Sequence, residues 1–178
     1  MDVGAIVQNG GTVYAREQGV KEGKGLTERR VTVTGNVKHP GNYMVKIGTK
    51  VKDLIEQAGG YKGKYKKLIM GGPMMGISQY TDEVPVMKGT SGILVMDKDN
   101  YEEALPCVKC GRCVDVCPMK LMPSLLARYA DRKRFEEARE INIMDCFECG
   151  SCAYICPSKI PLVQLIKYGK DVITGIIR

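Results

Sequence analysis

Among its 178 residues the chain has no tryptophan, two phenylalanines and a single histidine, His39. Aromatic residues make up only 6% of the whole, and no basic strand carries them interleaved with lysine and arginine. That is the pattern a nucleic-acid-binding surface needs, so a formal charge of +7 does not make nucleic acid an expected partner. Runs of 18 apolar residues are also missing, and no segment is expected to span a bilayer. The chain opens on no secretory signal, which weighs against a disulfide framework. It contains no G-x-G-x-x-G run. The glycine-rich stretch Gly71-Gly72-Pro73-Met74-Met75-Gly76 is not followed by Gly-Lys-Ser/Thr, so it is not a P-loop. His39 stands beside Pro40-Gly41 and reads as a solvated turn residue rather than a ligand.

Cysteine, in contrast, is abundant and confined to one stretch. All eight fall between Cys107 and Cys156. Cys107, Cys110, Cys113 and Cys117, followed by Pro118, are matched by Cys146, Cys149, Cys152 and Cys156, followed by Pro157. Each run reads C-x2-C-x2-C-x3-C-P, the pattern by which two-cluster ferredoxins hold [4Fe-4S] cubanes. Steps of three residues let one loop wrap three thiolates around a cubane face. The fourth cysteine sits where the chain turns toward the other cluster. Gly111 and Gly150 occupy matching places, where a positive φ lets backbone N–H groups approach sulfur. Structural zinc favours two separated C-x2-C pairs, and cysteines three apart pair poorly as disulfides. Both alternatives fit the spacing less well, as do inert buried thiols. In the ferredoxin pattern the fourth cysteine of each run serves the other cluster. One cluster is then assigned Cys107, Cys110, Cys113 and Cys156, and the other Cys146, Cys149, Cys152 and Cys117. Each cluster would carry about −2 with its thiolates, so part of the basic balance is counter-charge. Reduced cysteines used as ligands point to the cytoplasm.

Taken in order, residues 1–29 read as the end of something larger. Val3, Ala5, Ile6 and Val7 suggest a short strand, Asn9-Gly10-Gly11 a turn, and Val13 to Val20 a short helix. One strand and one helix cannot bury a core alone. Residues 31–47 read as a hairpin with a type II turn at Pro40-Gly41. Thr49 is placed to cap a helix from Val51 to Ala58, ended by Gly59-Gly60. Further strands are expected at Lys67–Met70, near Val84–Met87 and at Gly92–Met96, which makes residues 30–97 a β-grasp-like unit. The Gly71–Gly76 stretch suits packing against a neighbouring domain or cluster, with a plain loop as the alternative. Lys62, Lys64, Lys66 and Lys67 read as a solvated edge that could also dock an acidic partner. Tyr101–Leu105 leads into the first cysteine run. Between the runs, Leu121, Leu125, Leu126 and Tyr129 form one helical stripe, and Phe135, Ala138 and Ile141 a second, with a polar turn at Asp131–Arg134. After Pro161, Leu162, Leu165, Ile166, Gly169, Ile173, Ile176 and Ile177 line an amphipathic helix. Core packing is its default role and membrane-surface contact the alternative. The expected class is α+β, a β-grasp domain followed by an α-helical ferredoxin-like domain.

The stretches Arg30-Val-Thr-Val-Thr-Gly35, Lys38-His-Pro-Gly-Asn42, Gly71-Gly-Pro-Met-Met-Gly76 and Lys88-Gly-Thr-Ser-Gly92 carry a resemblance. So do Cys107-x-x-Cys-Gly-Arg-Cys-x-x-x-Cys-Pro-Met119 and Asp145-Cys-x-x-Cys-Gly-x-Cys-x-x-x-Cys-Pro-Ser-Lys-Ile-Pro-Leu162. Together they resemble RnfC, a component of the Rnf electron-transport complex, over essentially the whole chain but only the C-terminal part of the family's length. The resemblance implies a soluble-ligand-binding β-grasp (SLBB) domain at 30–97 and an α-helical ferredoxin domain at 98–178 with two [4Fe-4S] clusters. Residues 1–29 would be the remnant of an upstream flavin- and nucleotide-binding domain, and FMN and NADH are expected only there. The domain order is also similar to that of the flavin-bearing component of respiratory complex I. In the Rnf family the complex moves electrons between ferredoxin and NAD and couples this to Na⁺ or H⁺ transport. RnfC is its peripheral member on the cytoplasmic face of the membrane. The implied partners are the other subunits of that membrane complex, with a ferredoxin-type subunit as electron donor or acceptor. This chain alone is not expected to turn over NADH. Two alternatives stand beside this reading: a related cobalamin reductase of propanediol metabolism, and a docking scaffold whose clusters are structural.

Overall fold

A computed structural model describes residues 3–98 and 102–175, which fall into two compact units divided between Asp99 and Asn100. The first unit begins with α1 (Gly10–Glu22), capped by Asn9, whose side chain accepts the Gly11 N–H at 2.9 Å. None of its residues is buried. Val3, Ala5, Ile6 and Val7 do not form the expected strand: they lie outside regular structure, exposed, with no strand pairing to satisfy their backbone.

Beyond α1 the chain builds β1 (Glu28–Gly35), β2 (Gly41–Lys46), α2 (Val51–Gln57), β3 (Lys67–Met70), β4 (Ile77–Gln79) and β5 (Gly92–Met96). The sheet order is β2-β1-β5-β3-β4, with β1 and β5 parallel and the other pairs antiparallel, the mixed arrangement of a β-grasp. Period-2 alternation sends Val31, Val33, Val45, Leu68, Ile93 and Val95 to one face, where Val51, Leu54 and Ile55 of α2 cover them. Each such side chain, fully buried, contributes about 1.5–3 kcal/mol.

Three local expectations are corrected. Gly41 opens β2 without a positive φ, so Pro40-Gly41 is not a type II turn; the left-handed residue is Gly35, at φ 92°. A Cβ there would collide with the Val95 carbonyl of the parallel neighbour. The helix cap is Lys50, not Thr49, and no side chain accepts its N–H groups. The segment Val84–Met87 makes one bridge, Lys50 to Pro85, because Pro85 offers no N–H to a ladder and Val86 dives into the core. The remaining strand is β4, which the Gly71–Gly76 stretch turns back onto β3.

The second unit contains α3 (Arg112–Asp115), α4 (Pro123–Asp131), α5 (Phe135–Glu140), a 3-10 turn (Ile143–Asp145), α6 (Ser151–Ile155) and α7 (Leu162–Ile173). Pro123 starts α4, at the position where a missing N–H costs nothing. Both expected helices are present, but their buried faces differ from the expected stripes. Helix α4 buries Leu126, Ala127 and Ala130, with Leu125 and Tyr129 half-buried and Leu121 ahead of the helix. Helix α5 buries Ala138, with Phe135 half-buried and Ile141 at its C-cap. The apolar row of α7 turns Leu162, Ile166 and Gly169 into this core; Ile176 and Ile177 lie outside the described residues. Where α7 crosses α4, a Cβ on Gly169 would stand 3.0 Å from Ala130 Cβ and 2.9 Å from Ile143 Cδ1. Gly169→Val is therefore expected to overpack this crossing and cost about 1–3 kcal/mol. A lowered midpoint in denaturant, with the sheet's own transition unchanged, would register it.

Candidate metal centre

Each cysteine run folds as a loop followed by a single helical turn, and the two copies share one backbone. Left-handed conformations occur at Lys109, Gly111 and Lys120 in the first run and at Glu148, Gly150 and Lys159 in the second, each 39 residues further on. Short helices α3 and α6, and the longer α4 and α7, stand in the same relation. Lysine and glutamate have no intrinsic reason to be left-handed. Such residues cost about 1–3 kcal/mol each and persist where something else fixes the loop. At the second run the backbone N–H groups of Glu148, Ser151 and Ala153 reach Cys146, Cys149 and Cys152.

The eight cysteines line two cavities. Cys107, Cys110 and Cys113 meet Cys156 around a space of about 370 Å³, open to solvent on one side, with Lys109, Gly111 and Leu162 on its walls. Cys146, Cys149 and Cys152 meet Cys117 around a second of about 360 Å³, with Glu148, Gly150 and Leu121. Two hydrogen bonds hold the runs together: the Leu105 N–H donates to the Ser158 carbonyl at 2.9 Å, and the Ser158 hydroxyl to the Pro106 carbonyl at 3.0 Å. At the other cavity the Leu121 N–H points at Cys117 Sγ, 3.4 Å away.

Burial pushes the Cys152 thiol up to about 11, helped by the neighbouring Cys146, Cys149 and Cys113. Cys146 is raised as well, chiefly by burial, with the Glu148 backbone N–H and the Lys170 ammonium pulling the other way. Cys149 is lowered, first by the Ser151 hydroxyl, whose oxygen lies 3.5 Å from its sulfur. Cys146 and Cys152 must give up their protons to bind a metal as thiolates. A single zinc, bound at about 2.3 Å by each sulfur, would draw the ligands around one point. Among the described residues no group of three or more His, Cys, Asp or Glu converges in that way. A cubane gives each thiolate its own iron, and soft thiolates with nearby N–H groups are the donors it takes. The residues fit two [4Fe-4S] clusters.

Lys170 on α7 donates to the Cys146 carbonyl and to Glu148 Oε1, both at 2.7 Å, and anchors the second loop. In sequence it is merely a polar residue off an apolar stripe, and nothing marks its reach across 24 positions. His39 is an exposed turn residue, and Lys62, Lys64 and Lys66 are exposed too, whereas Lys67 opens β3 and is half-buried.

Comparison with known proteins gives a consistent picture. An SLBB domain matches residues 30–78 and a 4Fe-4S dicluster domain matches residues 106–160. The C subunit of the ion-translocating oxidoreductase complex of Methanosarcina acetivorans is 48% identical over 171 residues, 95% of this chain and 38% of its own length. The chain matches the C-terminal part of RnfC proteins. Another RnfC relative, from the proton-translocating ferredoxin:NAD(+) oxidoreductase complex of Clostridium ljungdahlii, is 47% identical over 173 residues, covering 95% and 38%. The counterpart in the Na(+)-translocating complex of Acetobacterium woodii is 42% identical over 147 residues, covering 81% and 33%. The chain thus spans under two fifths of the length of these RnfC relatives. Among the described residues no helix is long and apolar enough to cross a membrane.

Proposed function

We propose that the chain is the electron-relay part of an RnfC protein, with one cluster held by Cys107, Cys110, Cys113 and Cys156 and the other by Cys146, Cys149, Cys152 and Cys117. The observation that carries this reading is the lining of the two cavities, each with three cysteines of one run and the fourth of the other. Each cluster, when bound, takes and returns a single electron. The protein's own part is to hold the thiolates, donate backbone N–H groups of Leu121, Glu148, Ser151 and Ala153 to sulfur, and shield the inner ligands with Leu121 and Leu162. The relatives' names support the larger setting, a ferredoxin:NAD(+) oxidoreductase coupled to proton or Na⁺ translocation. In that setting the partners are the other subunits of a membrane redox complex, with a ferredoxin-type subunit giving or taking the electrons. The chain sits peripherally on the cytoplasmic face, and FMN and NADH bind in the part of the relatives that this chain does not span. Residues 1–29 are the tail of that part, 30–97 the SLBB domain and 98–178 the ferredoxin domain.

Anaerobic reconstitution is expected to yield about eight iron and eight sulfide per chain, the content of two cubanes. The brown absorbance should bleach with dithionite. Stoichiometric zinc without sulfide would overturn the reading.

A further inference from the structure

The 39-residue relation between the cradles makes their differences informative, because ligand type and loop backbone are the same in both. Among the residues that line the two cavities, only one pair of matched positions differs in charge. Lys109 and Glu148 share a left-handed conformation, φ 55° and 60°, and each lines its own cavity. One brings a lysine's positive charge to its cradle, and at the other the carboxylate offsets the Lys170 ammonium 2.7 Å away. Resting on the cluster reading above, we infer that Lys109 and Glu148 set the order of the two potentials. The cluster of Cys107, Cys110, Cys113 and Cys156 is the more easily reduced, and an electron shared between the two rests there.

Reduction adds one negative charge, so a cation beside the cluster favours the reduced form and a carboxylate opposes it. Burial acts in the same direction. Cys107 and Cys110 are exposed, whereas Cys146 and Cys149 are half-buried and Cys152 is 7% exposed. The added charge is thus less well solvated at the second cradle.

The other charged groups do not cancel this. At the second cradle Lys170 and Glu148, paired at 2.7 Å and largely shielded at 18% and 29% exposed, offset each other, so the first cradle keeps the excess positive charge of Lys109. At the next matched pair the first cradle has Arg112 where the second has Ser151. Arg112 is exposed and lines neither cavity, so it adds little, and the Ser151 hydroxyl, 3.5 Å from Cys149 Sγ, is a neutral group. Lys120 and Lys159 occupy matched positions, and the exposed pairing of Lys159 with Glu102 at 3.4 Å is worth little. Asp115, matched by Tyr154, is exposed and lines neither cavity.

The test is a potentiometric titration of the anaerobically loaded protein followed by EPR, with iron and sulfide counted on each sample. Cys110→Ser and Cys149→Ser, which alter one cluster each, assign the signals. Lys109→Glu is expected to make its cluster about tenfold harder to reduce, a fall of ~59 mV for one electron. Glu148→Lys is expected to raise the other by a similar factor, and the double exchange to close or invert the gap. Lys109→Arg keeps the charge and should leave the gap in place. Where a reversal variant loads poorly, Lys109→Gln and Glu148→Gln serve instead, with smaller shifts of the same sign. Full iron and sulfide with an unchanged gap in both variants overturns the inference and leaves the cluster reading standing. Wild-type protein that takes up no sulfide removes both.

Discussion

Stripping iron and sulfide from the protein is expected to unfold the helical unit and leave the β-grasp sheet folded. The sheet has its own core of Val31, Val33, Leu54, Ile55, Ile93 and Val95, with a helix across it, and uses no cysteine. The second unit is built differently. Residues 102–111 have no regular structure, and α3 and α6 are four and five residues long, far below the length at which a helix sustains itself. Among the described residues all six non-glycine positions with positive φ lie in this unit: Lys109, Lys120, Lys133, Asn142, Glu148 and Lys159. Its core is eight buried residues, and five of the cysteines form part of the packing in and around them. Ligation therefore carries much of the stability, as it does in small metal-held domains. Hydrogen exchange would register the result as lost protection in α4 and α7 with β1 and β5 still protected. Protected α4 and α7 amides in the iron-free protein would show that the helices stand without their metal.

The second large effect is the pattern of damage when single ligands are removed. Replacing Cys117 with alanine is expected to abolish the same EPR signal as replacing Cys149, and replacing Cys156 the same as Cys110. In each case iron falls to about half. The reason is spatial: Cys117 lines the cavity of Cys146, Cys149 and Cys152, while Ser158 ties Cys156 back to Pro106 beside Cys107. A result in which Cys117 and Cys110 fail together would mean that each run closes on itself.

Much of this molecule is legible in its sequence, for reasons that differ along the chain. Strands β3 and β5 fall where the sequence places them, because Leu68-Ile69 and Ile93–Val95 are short apolar runs with glycine or lysine at their edges. The two helices between the cysteine runs are legible because each buries one face in a shared core. Strand β4 leaves no such trace because Ile77-Ser78-Gln79 has no buried residue; its pairing depends on the turn before it and the strand beyond. Val84–Met87 misleads in the opposite way, since Val86 is buried without belonging to a ladder. Val3, Ile6 and Val7 are apolar enough for a strand but have no partner. At the candidate metal centre the proposed ligands follow from spacing. Lys170 and Ser158 do not, because their contacts join positions far apart in sequence to backbone carbonyls, which leave no residue-type signature.

The interleaved lining of the two cavities also bears on how the protein is made. A ribosome releases Cys107, Cys110 and Cys113 first, but the wall that Cys156 provides emerges only after α3, α4, α5 and α6 have been synthesised. The nascent chain therefore exposes three reduced thiols without the fourth, and a cubane delivered then would have an open corner. Delivery has to wait for the second run, by which time both cavities can close within moments of each other. Both cavities then become complete together, and the cell's sulfide and iron carriers meet a chain with either neither site or both sites formed.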